Sequence, residues 1–175
     1  MRLYRFEYSG YARFVQAAIQ LTGAPCELVD VAFGERDALA TLTGGYIQVP
    51  VLVGDDGAVI TDSRRIVATL VREDPRFAAL VPANDAGPIW AYVDWVGSGF
   101  EDVAFRIASP LVEPRMAALN GGRDDARGMY RFVKERKFGP GCIDQWAKAS
   151  SSARSVAVVA PRPVATRSAS TRGWS

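Results

Sequence analysis

The sequence predicts a small α/β domain with the element order β-α-β-α-β-β-α, followed by an all-α domain. Within residues 1–74, short apolar runs with a period of two alternate with longer runs whose apolar residues recur every three or four positions. From residue 89 onward only the helical spacing remains. Pro and Gly are concentrated between these two parts, at residues 75–88. We therefore expect an α/β domain at 1–74, a linker at 75–88 and a partial all-helical domain at 89–146.

The first half of the α/β domain contains two predicted strands, each followed by a helix. Residues 2–7 form a short run that favours a strand. The helical period begins at Tyr11, after a turn. Gly23, Ala24 and Pro25 end that helix, because Gly closes helices and Pro cannot continue them. Residues 26–31 alternate as a second strand, and residues 35–41 predict a short helix.

The second half of the domain is a hairpin that begins at a proline. Residues 51–53 and 58–60 read as two apolar strands joined by a Gly-Asp-Asp-Gly turn, and a helix follows at 63–72. Proline cannot donate to a strand ladder, so Pro50 fits the entrance of a strand, where the bond before it can be cis. In such a turn the backbone N–H and C=O of Val49 are expected to face outward and remain unpaired.

The all-α part shows one long helical period and a second, interrupted one. The first covers residues 89–107 and is weakened at Gly97, where Ser98 and Glu101 match a capping box. The second covers residues 111–137, is broken by two glycines at 121–122, and ends at 138–141. From residue 147 to 175 the sequence lacks acidic and large aliphatic residues, so we expect a disordered tail there.

The absence of histidine excludes more kinds of catalytic and metal site than any other feature of the composition. Without His, neither a Ser-His-Asp nor a Cys-His catalytic unit can form, and no metal can be held by imidazole. The net charge of +2 gives no reason to expect nucleic acid or a membrane surface as a partner. Cys26 and Cys142 have no metal-binding spacing. We expect a cytoplasmic protein without a metal, a membrane span or an export signal.

The turn before the first helix carries the first candidate for chemistry. Ser9 stands between the end of a strand and the start of a helix, where the helix dipole favours an anion. A hydroxyl that donates to sulfur at such a position lowers the pKa of a thiol from about 8.5. The turn itself, Ser9 to Ala12, contains no thiol, so the thiolate has to belong to a bound molecule.

With these motifs, residues 1 to about 145 resemble the cytosolic glutathione S-transferase superfamily, in a serine-type, bacterial-like form. The resemblance rests on the Ser-bearing first turn, the valine-proline strand, the Asp-Gly turn and the acidic-Ser pair that follows, in this order. It implies a thioredoxin-like N-terminal domain and an all-helical C-terminal domain. It also implies a cytoplasmic homodimer that conjugates glutathione, as co-substrate, to a small electrophile, typically in detoxification.

The resemblance also implies roles for individual residues. Ser9 matches the serine that activates the glutathione thiol, and Val49 would pair its backbone with the cysteinyl part before a cis Pro50. Asp62 and Ser63 would hold the γ-glutamyl end, and Gln48 stands where a polar residue reaches the glycyl end. Expected glutathione-binding residues are therefore Gln48, Val49, Pro50, Asp62 and Ser63, with Ser9 as the catalytic residue.

Alternatives remain open for each of these residues. Ser9 and Ser63 are also favoured helix caps, Asp62 suits the first turn of a helix, and Tyr8 is the main rival hydroxyl. Family members normally continue with a buried helix that we do not find after Trp146, so we expect an incomplete helical domain, as after a reading-frame shift. The alternative is a non-catalytic binding or interaction module that resembles glutathione S-transferases, or an inactive truncated relative.

Overall fold

The computed structural model describes residues 1–34 and 36–157, with side chains through Ser150. Its N-terminal elements are β1 (Arg2–Arg5), α1 (Gly10–Thr22), β2 (Glu27–Asp30), α2 (Asp37–Thr43), β3 (Val51–Val53), β4 (Val59–Thr61), α3 (Ser63–Glu73) and α4 (Pro75–Ala78). The later elements are a 3-10 turn (Ala83–Asp85), α5 (Ala86–Trp95), a π-helical turn (Val96–Phe100), α6 (Glu101–Val112), a 3-10 turn (Glu113–Arg115), α7 (Met116–Leu119), α8 (Asp124–Phe138) and α9 (Cys142–Ala157).

The four strands form a mixed sheet in the order β2-β1-β3-β4. β1 pairs in parallel with β2 and antiparallel with β3, which in turn pairs antiparallel with β4. Leu3 and Leu52 are register partners and lie on one face, while Val51 lies on the other, since successive side chains alternate. The predicted order β-α-β-α-β-β-α and the all-α region after it are confirmed.

Each sheet face has its own hydrophobic core. The first core joins the Leu3 face to α1, α3 and α4, and its most buried members are Leu3, Val15, Ile66 and Phe77. The second core joins the Val51 face to α2 and to the helical domain, through residues that include Phe6, Val51, Met116, Tyr130 and Ile143. The two domains therefore share this second core. Apolar packing, and not only the covalent connection between the domains, fixes their relative position.

The ends of α1 follow from two local features of the sequence. Ser9 is the N-cap, and its hydroxyl oxygen accepts a hydrogen bond from the backbone N–H of Ala12 at 3.3 Å. Gly23 closes the helix with a φ of 65°, a left-handed conformation that glycine adopts without a steric cost.

The segment expected to be a linker is more ordered than the sequence predicts. Asp74 accepts a hydrogen bond from the N–H of Arg76 at 3.0 Å, and Pro75 occupies the first position of α4. Phe77 is completely buried in the first core. A Pro-rich sequence indicates a linker only where nothing apolar is buried, and here Phe77 fixes residues 75–78 to α1 and α3.

The break expected at residues 97–99 is a π-helical turn and not a new helix start. The hydroxyl of Ser98 donates to the carbonyl of Asp94 at 2.6 Å, so it bonds backward along the helix instead of capping α6. The chain passes from α5 to α6 without leaving the helical conformation. Gly97 and Gly99 both lie within the π turn, whose hydrogen bonds span one residue more than those of an α-helix.

The expected disorder from residue 147 is corrected as far as Ala157, because α9 continues across the composition change. Cys142 and Ile143 are buried in the second core and Trp146 packs against it, so the first turn of α9 is fixed by tertiary contacts. Extending an existing helix is far easier than starting one, and Ala, Lys and Arg are good helix formers. The rest of the expected tail, residues 158–175, lies outside the described residues.

A buried carboxylate connects three parts of the helical domain. Glu113 is 3% exposed, and it accepts hydrogen bonds from Arg127 at 2.8 Å and from Arg131 at 2.6 Å. Arg131 also pairs with Asp144 of α9 at 2.7 Å. Burial acts to raise the pKa of Glu113, but the two guanidinium groups outweigh it and the pKa lies below its ordinary value. The folded state therefore stabilises the ionised form of Glu113.

Replacing Glu113 by Gln is expected to lower the free energy of unfolding by about 3 kcal/mol at pH 7, because two guanidinium groups lose the carboxylate that they share. The measurement is urea unfolding followed by circular dichroism. Because the folded-state pKa of Glu113 is depressed, its contribution is present above the ordinary value of 4.5 and is lost as the pH falls below it. The difference between the two proteins should therefore shrink in acid.

The matched control is Glu73→Gln, which removes an exposed carboxylate that pairs only with its neighbour Arg72. It should change the unfolding free energy by less than about 0.5 kcal/mol. Equal effects of the two substitutions, or an effect of Glu113→Gln that persists unchanged in acid, would contradict a special role of the buried pair.

Candidate functional site

A cavity of about 870 Å³ lies between the α/β domain and the helical domain. The α/β domain contributes the start of α1, the segment before β3 and the start of α3, while α5, the π turn, α6 and α8 form the opposite wall. Of the residues predicted for the site, the following line the cavity: Gln48, Val49, Pro50, Asp62 and Ser63.

The segment before β3 offers unpaired backbone groups, as the sequence predicts. The Val49–Pro50 peptide bond is cis. Pairing between β1 and β3 ends at Tyr4 and Val51, and the backbone N–H and C=O of Val49 make no backbone hydrogen bond to another described residue. Both residues are buried, and Gln48 beside them is half-buried. An extended peptide could therefore add to this edge with main-chain hydrogen bonds.

A buried arginine supports the same segment from behind. Arg36 is 4% exposed and donates to the carbonyls of Phe33 at 2.6 Å and of Ile47 at 2.5 Å. Its guanidinium lies 4.2 Å from the centre of the Phe6 ring. Burial lowers the pKa of Arg36 to about 10, so the group remains charged at neutral pH. Arg36 thus connects the start of α2 to Ile47, the residue before Gln48.

The start of α3 combines a strained acidic residue with a serine whose hydroxyl is unpaired. Asp62 has a φ of 72°, a conformation that is uncommon outside glycine and is often found at functional sites. Its carboxylate accepts the N–H of Arg65 at 2.9 Å, so Asp62 is the N-cap and Ser63 is the first helical residue. Ser63 is 9% exposed, and its hydroxyl makes no hydrogen bond to any described residue. The alternative that Ser63 is the cap is therefore wrong.

The two hydroxyls predicted at the first turn do not line the cavity. Ser9 is half-buried and caps α1, and the cavity wall begins at its neighbour Gly10. The hydroxyl of Tyr8 lies 3.3 Å from the side-chain oxygen of Asn120, and its ring stacks against Phe6 and Phe33. Burial raises the pKa of Tyr8, so its phenol stays protonated.

Tyr11 presents the hydroxyl that lines the cavity at this end. It lies 3.4 Å from the backbone oxygen of Gly97 and 3.4 Å from the ammonium of Lys137. Burial and the nearby carboxylate of Glu101 raise its pKa well above the ordinary range, which leaves a neutral phenol able to donate a hydrogen bond. A β-carbon at position 10 would stand only 3.3 Å from Glu101, so Gly10 allows this carboxylate to approach α1.

Aromatic side chains and one arginine form the opposite wall. Tyr92, Phe100 and Phe105 line the cavity. Arg64 stacks on Trp90 at 3.5 Å and pairs with Asp94 at 2.9 Å, which joins α3 to α5.

Two negative findings apply to the described part of the chain. Within residues 1–34 and 36–157 no cluster of His, Cys, Asp and Glu side chains is arranged to hold a metal ion. In the same residues, no helix has the length and apolar character that crossing a membrane requires.

A sequence model of the family described as "Glutathione S-transferase, N-terminal domain" matches residues 3–77. These residues include the sheet, the cis-proline segment and the start of α3. This part of the chain is similar to the N-terminal domain of glutathione S-transferases. No curated protein sequence matches it.

Solved structures with the glutathione S-transferase architecture superimpose on most of the chain. A glutathione S-transferase from Rhodospirillum rubrum F11 has a TM-score of 0.54 and 22% identity, over 87% of this chain and 62% of its own. A sphingomonad glutathione S-transferase complexed with glutathione has a TM-score of 0.53 and 21% identity, over 88% and 68% of the two chains. Glutaredoxin 2 from Salmonella typhimurium, in complex with glutathione, has a TM-score of 0.57 and 19% identity, over 89% and 66%.

These comparisons confirm the thioredoxin-like fold of the N-terminal domain and the helical domain after it. The chain spans about two thirds of the length of these solved structures, between 62% and 68%. At such identities the likeness establishes the fold alone.

Sequence analysis does not find the charged residues that the fold brings to the cavity and to the segment behind it. Arg36, Lys134 and Lys137 stand in no motif, and Glu101 stands in an apparent capping box that indicates only a helix start. In the sequence, Tyr11 marks only the start of the helical period. Glycines at positions 97 and 99 were the one available signal, because they mark the π turn that faces Tyr11.

Proposed function

We propose that the chain binds glutathione and is a glutathione transferase that activates its thiol for attack on a small electrophile. The observation that carries this proposal is one cavity wall that combines the unpaired backbone of Val49 with Asp62 and the start of α3. The match of residues 3–77 to the glutathione S-transferase N-terminal domain, and a structure of similar fold that is complexed with glutathione, support it.

Each part of glutathione has a chemical counterpart on this wall. The cysteinyl N–H and C=O can pair with the backbone of Val49, in the manner of an added strand. The γ-glutamyl end carries an ammonium and a carboxylate, which suit the Asp62 carboxylate and the N-terminal N–H groups of α3 with the Ser63 hydroxyl. Gln48 offers an amide to the glycyl carboxylate, next to the cis bond before Pro50.

The cysteinyl sulfur would then lie near the start of α1. The positive end of this helix favours a thiolate, and Ser9 retains its hydroxyl proton for donation because its oxygen serves as acceptor to Ala12. We propose Ser9 as the catalytic residue. Tyr11 is the competing donor, because it lines the cavity and Ser9 does not.

The alternative is a module that binds glutathione without turning it over. The position of Ser9 beside the cavity, and the carboxylate of Glu101 close to Gly10, favour this alternative, because a nearby anion opposes thiolate formation. The two functions differ in one measurable quantity, the pKa of the bound thiol.

The first prediction is that glutathione bound to the wild-type protein ionises well below free glutathione, and that Ser9→Ala raises the bound thiol pKa by about one unit. A hydrogen bond to a charged group contributes about 1.5 kcal/mol or more, which corresponds to about one pKa unit. The measurement is a pH titration of thiolate absorbance at saturating glutathione.

Two variants separate the possible donors. Ser9→Thr keeps a hydroxyl and a helix cap, and it should retain the low pKa. If Tyr11→Phe raises the pKa while Ser9→Ala leaves it unchanged, Tyr11 is the donor and the assignment of Ser9 is wrong. Binding with an unshifted wild-type pKa would support the non-catalytic module.

The second prediction concerns Asp62. The substitution Asp62→Asn should raise the dissociation constant of glutathione about tenfold, because it removes the charge opposite the γ-glutamyl ammonium. The melting temperature should stay unchanged, since an asparagine oxygen still accepts the N–H of Arg65 and asparagine tolerates a positive φ. Isothermal titration calorimetry and thermal denaturation measure the two effects.

Asp62→Ala provides the comparison, because it removes both the charge and the cap. It should weaken binding and also lower the unfolding free energy by about 1 kcal/mol. Unchanged glutathione affinity in Asp62→Asn would remove Asp62 from the binding site.

We further propose a cytoplasmic homodimer. Cys26 and Cys142 are both free, which suits a reducing compartment. Val103, Ile107 and Leu111 follow each other at four-residue intervals on α6 and are 55%, 65% and 50% exposed. Such an apolar stripe favours contact with a second copy of the chain.

Sedimentation velocity tests the dimer directly. The wild-type protein is expected to sediment as a dimer, and Ile107→Lys is expected to produce monomers, because it places a charge in the apolar stripe. Leu21→Lys is the control, since Leu21 is 77% exposed and lies on α1. A wild-type monomer at micromolar concentration would contradict this proposal.

A further inference from the structure

Lys134 is a buried cation in the wall of the cavity. It belongs to α8, is 8% exposed, and its ammonium lies 3.0 Å from the centre of the Phe105 ring. Among the described residues, Lys134 forms no ion pair and donates no hydrogen bond, and the second ring near its ammonium is that of Tyr130, at 5.4 Å. Buried lysines are rare unless they are paired, so this one requires an explanation.

The other cations of the cavity differ from Lys134. Lys137 pairs with Asp102 at 2.5 Å, and Arg64 pairs with Asp94 at 2.9 Å. Arg136 is exposed to solvent. Lys134 is therefore the buried cation that faces the cavity without an anion of its own in the described part of the chain.

The surroundings of Lys134 keep it charged near neutral pH. Burial lowers its pKa to about 8, and the positive charge of Lys137 acts in the same direction. The carboxylates of Glu101 and Asp102, together with the Cys142 thiol, oppose this effect. An anion bound at the ammonium would offset the cost of burying the charge.

We propose that Lys134 binds the anionic group of the second substrate, which makes the preferred electrophile a carboxylate-bearing aromatic compound. This inference deepens the proposed transferase function and rests on it. The aromatic part follows from the wall, where Phe105 lies against the ammonium and Tyr92 and Phe100 line the same cavity. The carboxylate part follows from an ammonium that already lies within this wall and has no acceptor there.

The proposed preference for a carboxylate can be tested with two reactants that differ only in this group. In 4-chloro-3,5-dinitrobenzoate, the glutathione thiolate attacks the carbon that carries chlorine. A carbon–sulfur bond forms, the carbon–chlorine bond breaks, chloride leaves with the bonding pair, and the thiol proton goes to solvent. The corresponding benzamide undergoes the same substitution but carries no charge.

Binding is tested first, without any reaction. The full chain is saturated with S-methylglutathione, and calorimetry gives the dissociation constants of 3,5-dinitrobenzoate and 3,5-dinitrobenzamide at pH 6.5. The wild-type protein should bind the anion at least tenfold more tightly than the amide. Lys134→Met should abolish this preference while leaving the affinity for the amide unchanged.

Lys148→Met is the matched control, because it makes the same charge change at an exposed residue outside the cavity. It should retain the full preference for the anion. The preference of the wild-type protein should also decline between pH 6.5 and pH 10, as the ammonium loses its proton. Equal affinities for the two compounds in the wild-type protein, or an undiminished preference in Lys134→Met, would overturn the inference.

Folding of Lys134→Met is verified by its melting temperature. The pKa of Lys134 falls from 10.5 to about 8 on folding, so burying its charge costs stability below pH 8, and this cost disappears as the pH rises toward 10.5. The methionine variant should therefore melt at a higher temperature than the wild type at pH 7. Methionine also keeps most of the apolar volume of the lysine stem.

Turnover of the chlorinated pair separates this inference from the proposed function. A tenfold higher kcat/KM for the benzoate, lost in Lys134→Met, supports both. Turnover of both compounds without a preference overturns the inference and supports the transferase. A binding preference without turnover of either compound contradicts the transferase and supports an anion site at Lys134.

Discussion

The packing of the sheet against the helical domain is the contact on which the site depends. Val49 and Val51 share one hydrophobic core with Met116, Tyr130 and Ile143, so the segment before β3 is buried from the side of the helical domain. The same core fixes α8 opposite the start of α1. Without it, the cis-proline segment and the cavity wall made by α5, α6 and α8 would have no fixed separation, and neither would define a cavity.

That packing also gives the cavity its uneven charge distribution. The starts of α1 and α3 present positive helix ends, and Asp62 adds a single carboxylate between them. The helical domain adds both signs, with Glu101 close to Gly10 and Lys134 on α8. In the proposed function, the wall of the α/β domain would bind glutathione and the wall of the helical domain would bind the anionic second substrate.

The sequence predicts best what local physics determines. Alternation, helical spacing and turn residues define the sheet and α1 to α3, and the Val-Pro and Asp-Ser pairs locate Val49 and Asp62 before any contact is known. The charged residues of the helical domain could not be found in this way, because Glu101 and Lys134 acquire their roles only when α6 and α8 face α1. The order at residues 75–78 and 147–157 was missed for the same reason, since buried Phe77 and Ile143 fix segments whose composition favours loops.

The position of Glu101 links the two domains in the chemistry as well as in the packing. Its carboxylate raises the pKa of Tyr11 and opposes the lowering of the pKa of Lys134, so one side chain acts on both the hydroxyl at the start of α1 and the buried ammonium of α8. A thiolate formed at the start of α1 would repel the same carboxylate, and an anion held by Lys134 would do so from the other side. Protonation of Glu101, whose own pKa burial raises, would relieve both repulsions. Under the proposed function, the charge state of Glu101 would therefore link thiol activation to binding of the electrophile.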